Sequence, residues 1–134
     1  MNYWLIKSEP NCYSIEDFRK ENITVWSGVR NYAARNNLRA MQLDDLCLFY
    51  RSVHDPAVEG LCKVVKIAYP DPTDENWWAV DVKFIEKFNS VLPLKTIRQD
   101  PFLADMELLK NSRLSVQKVL ESEFLYILKQ TQKI

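Results

Sequence analysis

Residues 78–85 alternate strictly: Trp78, Val80, Val82 and Phe84 fall on one side, Ala79, Asp81 and Lys83 on the other. A period of two gathers apolar residues on one face only in an extended strand, so this run must lie on a half-buried sheet. Leu46–Arg51 is a short apolar run, and Leu61, Val65, Ile67 and Tyr69 share a second period-two face with Lys66 opposite. The polar loop between these runs, with His54, Asp55 and Pro56, predicts a hairpin. By parity Trp77 points away from Trp78, whose place in the alternation is a core position, and only one of Phe49 and Tyr50 can face a given pocket.

The flanks supply shorter elements. Tyr3–Ser8 (YWLIKS), rich in aromatic and branched residues and bounded by Pro10, predicts a buried strand. Ser14 with Asp17 three positions on predicts an N-cap opening a helix through Phe18 and Lys20. Ile23–Trp26 suits a short strand. Residues 29–41 hold good helix formers, with Val29, Ala33 and Leu38 turned inward. Val116–Val119 reads as a further strand, and Ser122 as the cap of a terminal amphipathic helix carrying Phe124, Leu125, Ile127 and Leu128. The sum is a mixed α+β domain built around a curved, mostly antiparallel sheet.

Composition then removes whole classes of function. With 134 residues, 47% of them hydrophobic, the chain has material for one core, and a single domain over 1–134 is expected. Only Gly28 and Gly60 occur, so neither a Gly-rich phosphate cradle nor a flexible linker is present. Eighteen basic residues balance eighteen acidic ones, so any nucleic acid has to be gripped locally rather than by bulk charge. Cys12, Cys47 and Cys62 are far apart in sequence and read as reduced packing residues; His54, the one histidine, lacks a neighbouring cysteine pair, so no metal site is expected. The apolar start is broken by Lys7 and Glu9, and no stretch approaches a membrane span, so a soluble, intracellular, cytoplasmic monomer is expected.

Between residues 22 and 43 there is no acidic residue, while Arg30, Arg35 and Arg39 all fall there. Interleaved with them, Trp26 and Tyr32 offer stacking faces, and Asn31, Asn36 and Asn37 offer amides that read donor and acceptor edges. Helical spacing puts Arg35 and Arg39 on one face, with Asn31 projecting from the same side, suited to neighbouring phosphates. The plainer alternative is a solvated helix face with Trp26 in the core.

The run Trp26-Ser27-Gly28-Val29-Arg30-Asn31-Tyr32-Ala33-Ala34-Arg35-Asn36 closely resembles the signature of the EVE domain family. Matching blocks follow in order along the chain: Tyr3-Trp4-Leu5-Ile6-Lys7-Ser8-Glu9-Pro10, Tyr13-Ser14-Ile15-Glu16-Asp17, Asp45-Leu46 with Phe49-Tyr50 and Ser52, Gly60, Ala68-Tyr69-Pro70-Asp71-Pro72-Thr73, and Ser112-Arg113-Leu114-Ser115-Val116. The resemblance implies a PUA-like fold, a bent, mostly antiparallel β-barrel with surrounding helices, related to the YTH readers of methylated adenine. It also implies non-catalytic binding of a modified base in DNA or RNA, without cofactor. Lys7-Ser8 and Trp26-Ser27 stand where YTH readers line the pocket for the flipped base.

A base withdrawn from its stack needs a flat apolar wall, which Trp26 offers, and polar groups at its edge, which Ser8 and Ser27 offer. Trp26 is expected to form that wall without belonging to the main core. The candidate ligand-binding set is Lys7, Ser8, Trp26, Ser27, Val29, Arg30, Asn31, Tyr32, Arg35, Asn36, Tyr50, Ser52 and Trp77. The chain departs from the family pattern at Ala33, often Gln, Asp44, often Gly, and Arg51, often His. The first and last are expected to alter which base edge is read, with Arg51 free to add a phosphate contact. Two other functions compete. One is an ASCH-type hydrolase of a modified nucleoside or RNA using Lys7 and Glu9, against which stands the expectation that their charges pair. The other is a protein-interaction module whose aromatics are simply core.

Overall fold

The first strand, β1 (Tyr3–Ser8), is covered on both faces because its side chains feed two separate cores. Trp4 and Ile6 enter one core and Leu5 the other, which is why the run reads as continuously apolar instead of alternating. The computed structural model describes residues 1–132; positions 133 and 134 of the expected domain lie outside the described residues.

Six strands form one sheet in the order β2-β5-β4-β3-β1-β6. β1 runs parallel to β3 (Leu46–Arg51), and every other neighbouring pair is antiparallel. The expected hairpin joins β3 to β4 (Ala57–Asp71), which returns as β5 (Asp74–Pro93). These last two strands are long, and register shifts at several points between them bend the ribbon. β2 (Ile23–Trp26) and β6 (Val116–Val119) are the sheet's ends and do not pair, so the sheet is open instead of closing into the expected barrel. The physical reason is α2 (Tyr32–Ala40), which packs on both β6 and β5 and whose Asn37 Nδ2 donates to the Val116 carbonyl at 2.7 Å. A helix occupies the place where a barrel seam would run.

α1 (Ile15–Glu21) begins as its sequence predicts, with Ser14 and Asp17 each accepting the other's backbone N–H at 3.1 and 3.0 Å. It packs Phe18 into the first core and lays Ile15 over Gly60, where an added Cβ would strike Ile15 Cδ1 and sit 3.0 Å from the Glu86 carbonyl oxygen. Close approach therefore demands glycine here. Residues 86–115, which carry no clear periodicity, extend β5 and then form α3 (Leu94–Gln99), a 3₁₀ turn (Pro101–Leu103) and α4 (Glu107–Lys110). With α5 (Glu121–Thr131) they close the second core around Leu5, Leu48, Tyr50, Ile97, Phe124 and Ile127.

Several local expectations are corrected. α2 starts three residues later than predicted, because Asn31 Oδ1 caps the Ala34 N–H at 3.0 Å, and Ala34, not Ala33, joins Leu38 inside. α5 starts after Leu120, whose N–H is held by Glu123 Oε1 at 3.0 Å, so Ser122 lies within the first turn. On β4 the predicted face holds at Leu61, which enters the second core, but from Cys62 on the apolar side is the opposite one: Cys62 and Val64 are buried, whereas Ile67 is 54% exposed. Cys47 and Cys62, distant in sequence, sit directly across from each other on β3 and β4. Phe49 enters the first core and Tyr50 the second.

Arg51, at the end of β3, donates to the Asp55 carbonyl at 2.9 and 3.1 Å and pairs with buried Glu59 at 3.1 Å. Burial pushes the Glu59 carboxyl up, and the Arg51 guanidinium opposes that rise. Arg51→Met is expected to cost about 2–3 kcal/mol at neutral pH, less than a fully buried pair because Arg51 is part-exposed. A carboxyl whose folded pKa is raised takes up a proton on folding, so the loss should shrink as pH falls through that raised value and grow as it rises. Urea denaturation across pH checks this; a loss that does not vary with pH would overturn it.

Candidate functional site

A cavity of about 450 Å³ opens where the end of β1, the loop before α1, β2 and the turn after β2 converge. Lys7, Ser8, Glu9, Cys12, Tyr13 and Ser115 line one side, and Thr24, Val25, Trp26, Ser27, Gly28, Val29 and Arg30 the other. The β1 side is fixed locally. The N–H groups of Cys12 and Tyr13 both donate to the Glu9 carbonyl at 2.9 Å, and Ser8 Oγ donates to the Tyr13 carbonyl at 2.5 Å. Its one proton is therefore committed, and Ser8 meets a ligand as an acceptor. Ser27, exposed and without a side-chain partner among the described residues, can both donate and accept.

Trp26 is only 8% exposed and packs against three other rings: Phe49 at 5.9 Å, Tyr13 at 6.3 Å and Phe18 at 6.4 Å between centroids. Pocket wall and core member are therefore the same residue, contrary to the expectation that Trp26 stands apart from the main core. Truncation to alanine would open a void costing about 3–5 kcal/mol. Tyr13 donates to Glu21 at 3.1 Å, and burial together with that carboxylate pushes its hydroxyl up to about 12, so it stays neutral.

The opposite wall hangs on Asp71. Its Oδ2 accepts the Gly28 N–H at 2.8 Å and Arg30 Nη1 at 3.1 Å; its Oδ1 accepts the Thr73 N–H at 2.7 Å and the Thr73 hydroxyl at 2.6 Å. Burial alone would raise this carboxyl, but the Thr73, Gly28 and Arg30 donors together hold it well below the usual carboxylate range. Gly28 sits at φ 79 with open space beside it, so its glycine is required by backbone conformation alone. Arg30 also reaches Thr73 Oγ1 at 2.9 Å.

Of the sequence-predicted set, the structure gathers Lys7, Ser8, Trp26, Ser27, Val29 and Arg30 around the cavity. The rest lie elsewhere. Tyr50 is in the second core, and Ser52 supports the site from behind by donating its N–H and Oγ to the Ser8 carbonyl at 2.9 and 3.2 Å. The Asn31 side chain is spent on its cap, and Asn36 is exposed on α2. Tyr32, Arg35 and Trp77 form their own stack beside the pocket, with the two rings 5.3 Å apart. Trp78 is half-buried beneath Arg39 at 4.9 Å instead of in the core, and irregular β4–β5 pairing lets both tryptophans meet arginines of α2. Lys7 does not pair with Glu9, because β1 ends between them; its ammonium donates to the Ser112 carbonyl at 2.6 Å and lies 5.7 Å from the Tyr50 ring centre. Burial lowers its pKa. Asp71 and Tyr13 lie outside the sequence-predicted set. Asp71-Pro72-Thr73, a turn-forming triplet whose carboxylate can reach its own second neighbour, carried the local signal.

A sequence model of the EVE domain matches residues 2–130. The chain belongs to the EVE domain family. Thymocyte nuclear protein 1 of Mus musculus is 40% identical over 164 aligned residues, covering 95% of this chain and 72% of the relative. Among solved structures, a hypothetical protein from Leishmania major superposes with TM-score 0.93 at 42% identity, covering 98% of this chain and 95% of that one. The human THYN1 protein, in complex with 5-methylcytosine-containing DNA, superposes with TM-score 0.91 at 33% identity over 100% and 99%. An ASCH protein from Zymomonas mobilis, at TM-score 0.61 and 8% identity, shares the fold alone.

In this EVE domain the three departures from the family pattern all lie off the cavity wall. Ala33 is exposed on α2, Asp44 adopts φ 68 where glycine is at ease, and Arg51 is engaged by Asp55 and Glu59 and so is not free for phosphate. Because Asp71 holds the Gly28 turn by its charge, Asp71→Asn is expected to cost about 1.5–3 kcal/mol. A depressed carboxyl stabilises above its unfolded value, near pH 4, and loses that contribution as pH falls through the lower folded value. The variant should therefore lack part of the wild-type acid slope in chemical denaturation; identical slopes would show that Asp71 is not the anchor.

Proposed function

We propose that this protein is a non-catalytic reader of a modified base carried in a nucleic acid strand, with 5-methylcytosine in DNA the leading candidate. The observation that carries this is a cavity of about 450 Å³, walled by Trp26 and edged by the free Ser27 hydroxyl and the Ser8 acceptor oxygen, in a domain whose THYN1 relative is found on 5-methylcytosine-containing DNA. The cavity suits one flipped base, with Trp26 as its apolar wall and Ser8, Ser27 and nearby backbone groups at its edge. Burying one added methyl is worth about 0.8 kcal/mol, roughly a fourfold preference for the modified base. That suffices for a reader and requires no chemistry.

A hydrolase is the second reading, favoured only by the burial that lowers the Lys7 pKa. With the ammonium on a backbone carbonyl and no ion pair to Glu9, Lys7 lacks the partner that a general base or nucleophile needs. We place the whole chain in one domain, acting as a monomer. Its cysteines, none in a disulfide, suit a reducing compartment, and the cytoplasm is the proposed location. Among the described residues no helix is long and apolar enough to cross a membrane.

Titration of a short oligonucleotide with and without 5-methylcytosine tests the reading. The methylated strand should bind a few-fold tighter, and Trp26→Phe, which keeps the core filled, should weaken it by about 0.5–1.5 kcal/mol through lost ring area. Nucleoside products detected by mass spectrometry with the wild-type protein, and abolished by Lys7→Arg, would instead establish the hydrolase.

A further inference from the structure

Beside the cavity, on the far side of Arg30, lies an aromatic surface that the pocket does not use. Tyr32, in the first turn of α2, is 67% exposed, and its ring stacks on Trp77 of β5 at 5.3 Å and 29°. The Arg35 guanidinium lies 4.9 Å from the Tyr32 ring centre and 5.8 Å from that of Trp77. These three distances make a nearly equilateral triangle, so the guanidinium sits alongside the stack. Had it capped the outer face of Tyr32, it would lie about twice as far from Trp77. One face of an exposed tyrosine, backed by a tryptophan, is left open.

The charges around this surface are equally unspent. Arg19, Arg30 and Arg51 each have a carboxylate partner, but among the described residues Arg35 and Arg39 have none. No acidic residue lies between positions 22 and 43 to supply one. A flat π-face with a guanidinium at its edge seeking an anionic oxygen is the complement of a nucleotide: base on the ring, phosphate on the arginine. A protein partner could use the same aromatics, but nothing there asks for a peptide.

We infer that the Tyr32–Trp77 stack is a second base platform, which holds the nucleotide next to the one in the pocket. The inference rests on the reading of the cavity as a base pocket. Continuity comes from Arg30, which lines the cavity and lies 5.6 Å from the Trp77 ring centre, so that one guanidinium separates the two sites. Successive bases stack on the order of 3.4 Å apart along a strand, and a neighbour left by a flipped base loses a stacking partner. The open face of Tyr32 replaces it. The ligand is then a strand of at least two nucleotides, not a free nucleoside.

The test compares 5-methyldeoxycytidine monophosphate with a trinucleotide carrying the same base at its centre, using wild type, Tyr32→Ala, Tyr32→Phe and Arg35→Gln. Exposed Tyr32 can be truncated without emptying a core. Tyr32→Ala should weaken the trinucleotide roughly tenfold, Tyr32→Phe should retain it, and neither should change binding of the mononucleotide. Arg35→Gln should reduce the salt slope for the trinucleotide by about 0.7. Equal weakening of both ligands would put Tyr32 in the pocket and overturn the inference, as would a trinucleotide indifferent to Tyr32→Ala, the result expected of a protein-docking surface. If methylated and unmethylated trinucleotides bind alike yet both need Tyr32, the platform stands and the modified-base reading falls. If wild type binds neither ligand, both fall.

Discussion

The site depends on a single buried carboxylate. Asp71 lies at the end of β4, and its four hydrogen bonds join the β4–β5 turn to the turn that follows β2, over forty residues away in sequence. Without it, Gly28 has no tether, and Arg30 keeps only the Thr73 hydroxyl and the Val29 carbonyl, neither of them charged. Trp26 would still be held by its aromatic neighbours, but the far wall of the cavity would be free to move. The charge of Asp71 is itself maintained by the donors it organises, so anchor and turn stabilise each other.

That arrangement is possible because the sheet is sandwiched. β1 and β3 send alternate residues to opposite sides, Trp4, Ile6 and Phe49 to one core and Leu5, Leu48 and Tyr50 to the other. α1 and α2 cover the first side, and the helices between Leu94 and Thr131 cover the second. The pocket sits where the first cover stops, between the β1 end and β2. The bends of β4 and β5 bring their connecting turn to the same place. Binding surface and scaffold are thus divided along the two faces of one sheet.

Elements with a local signal are legible in the sequence: the β1 run, the Ser14–Asp17 cap, and the alternation of residues 78–85. What fails is whatever depends on partners distant in sequence. Asn31 looks like a base-reading amide until its helix is seen to need a cap, and the β4 face is misassigned because bulges shift its parity. Tyr50 and Phe49 cannot be told apart while both faces of β3 are buried. For the site, the Lys7 to Arg30 half is readable from residue type and family pattern. Asp71 is not, because a lone carboxylate reveals its role only through the backbone it binds.

The departures from the family pattern bear on the same division. Arg51 replaces a side chain behind the site, where its guanidinium closes the β3–β4 hairpin over Glu59; Asp44 sits in a turn, at a backbone angle that glycine would adopt more easily. Neither touches the cavity. These substitutions change how the scaffold is held while leaving the wall of Trp26, Ser27 and Arg30 as the family pattern has it. Ala33 lies on α2, the helix that carries Tyr32 and Arg35. A glutamine there would extend beside Asn37 toward Asn111 and Lys118, on the side of the helix turned away from the stack, so this departure too leaves the cavity wall untouched.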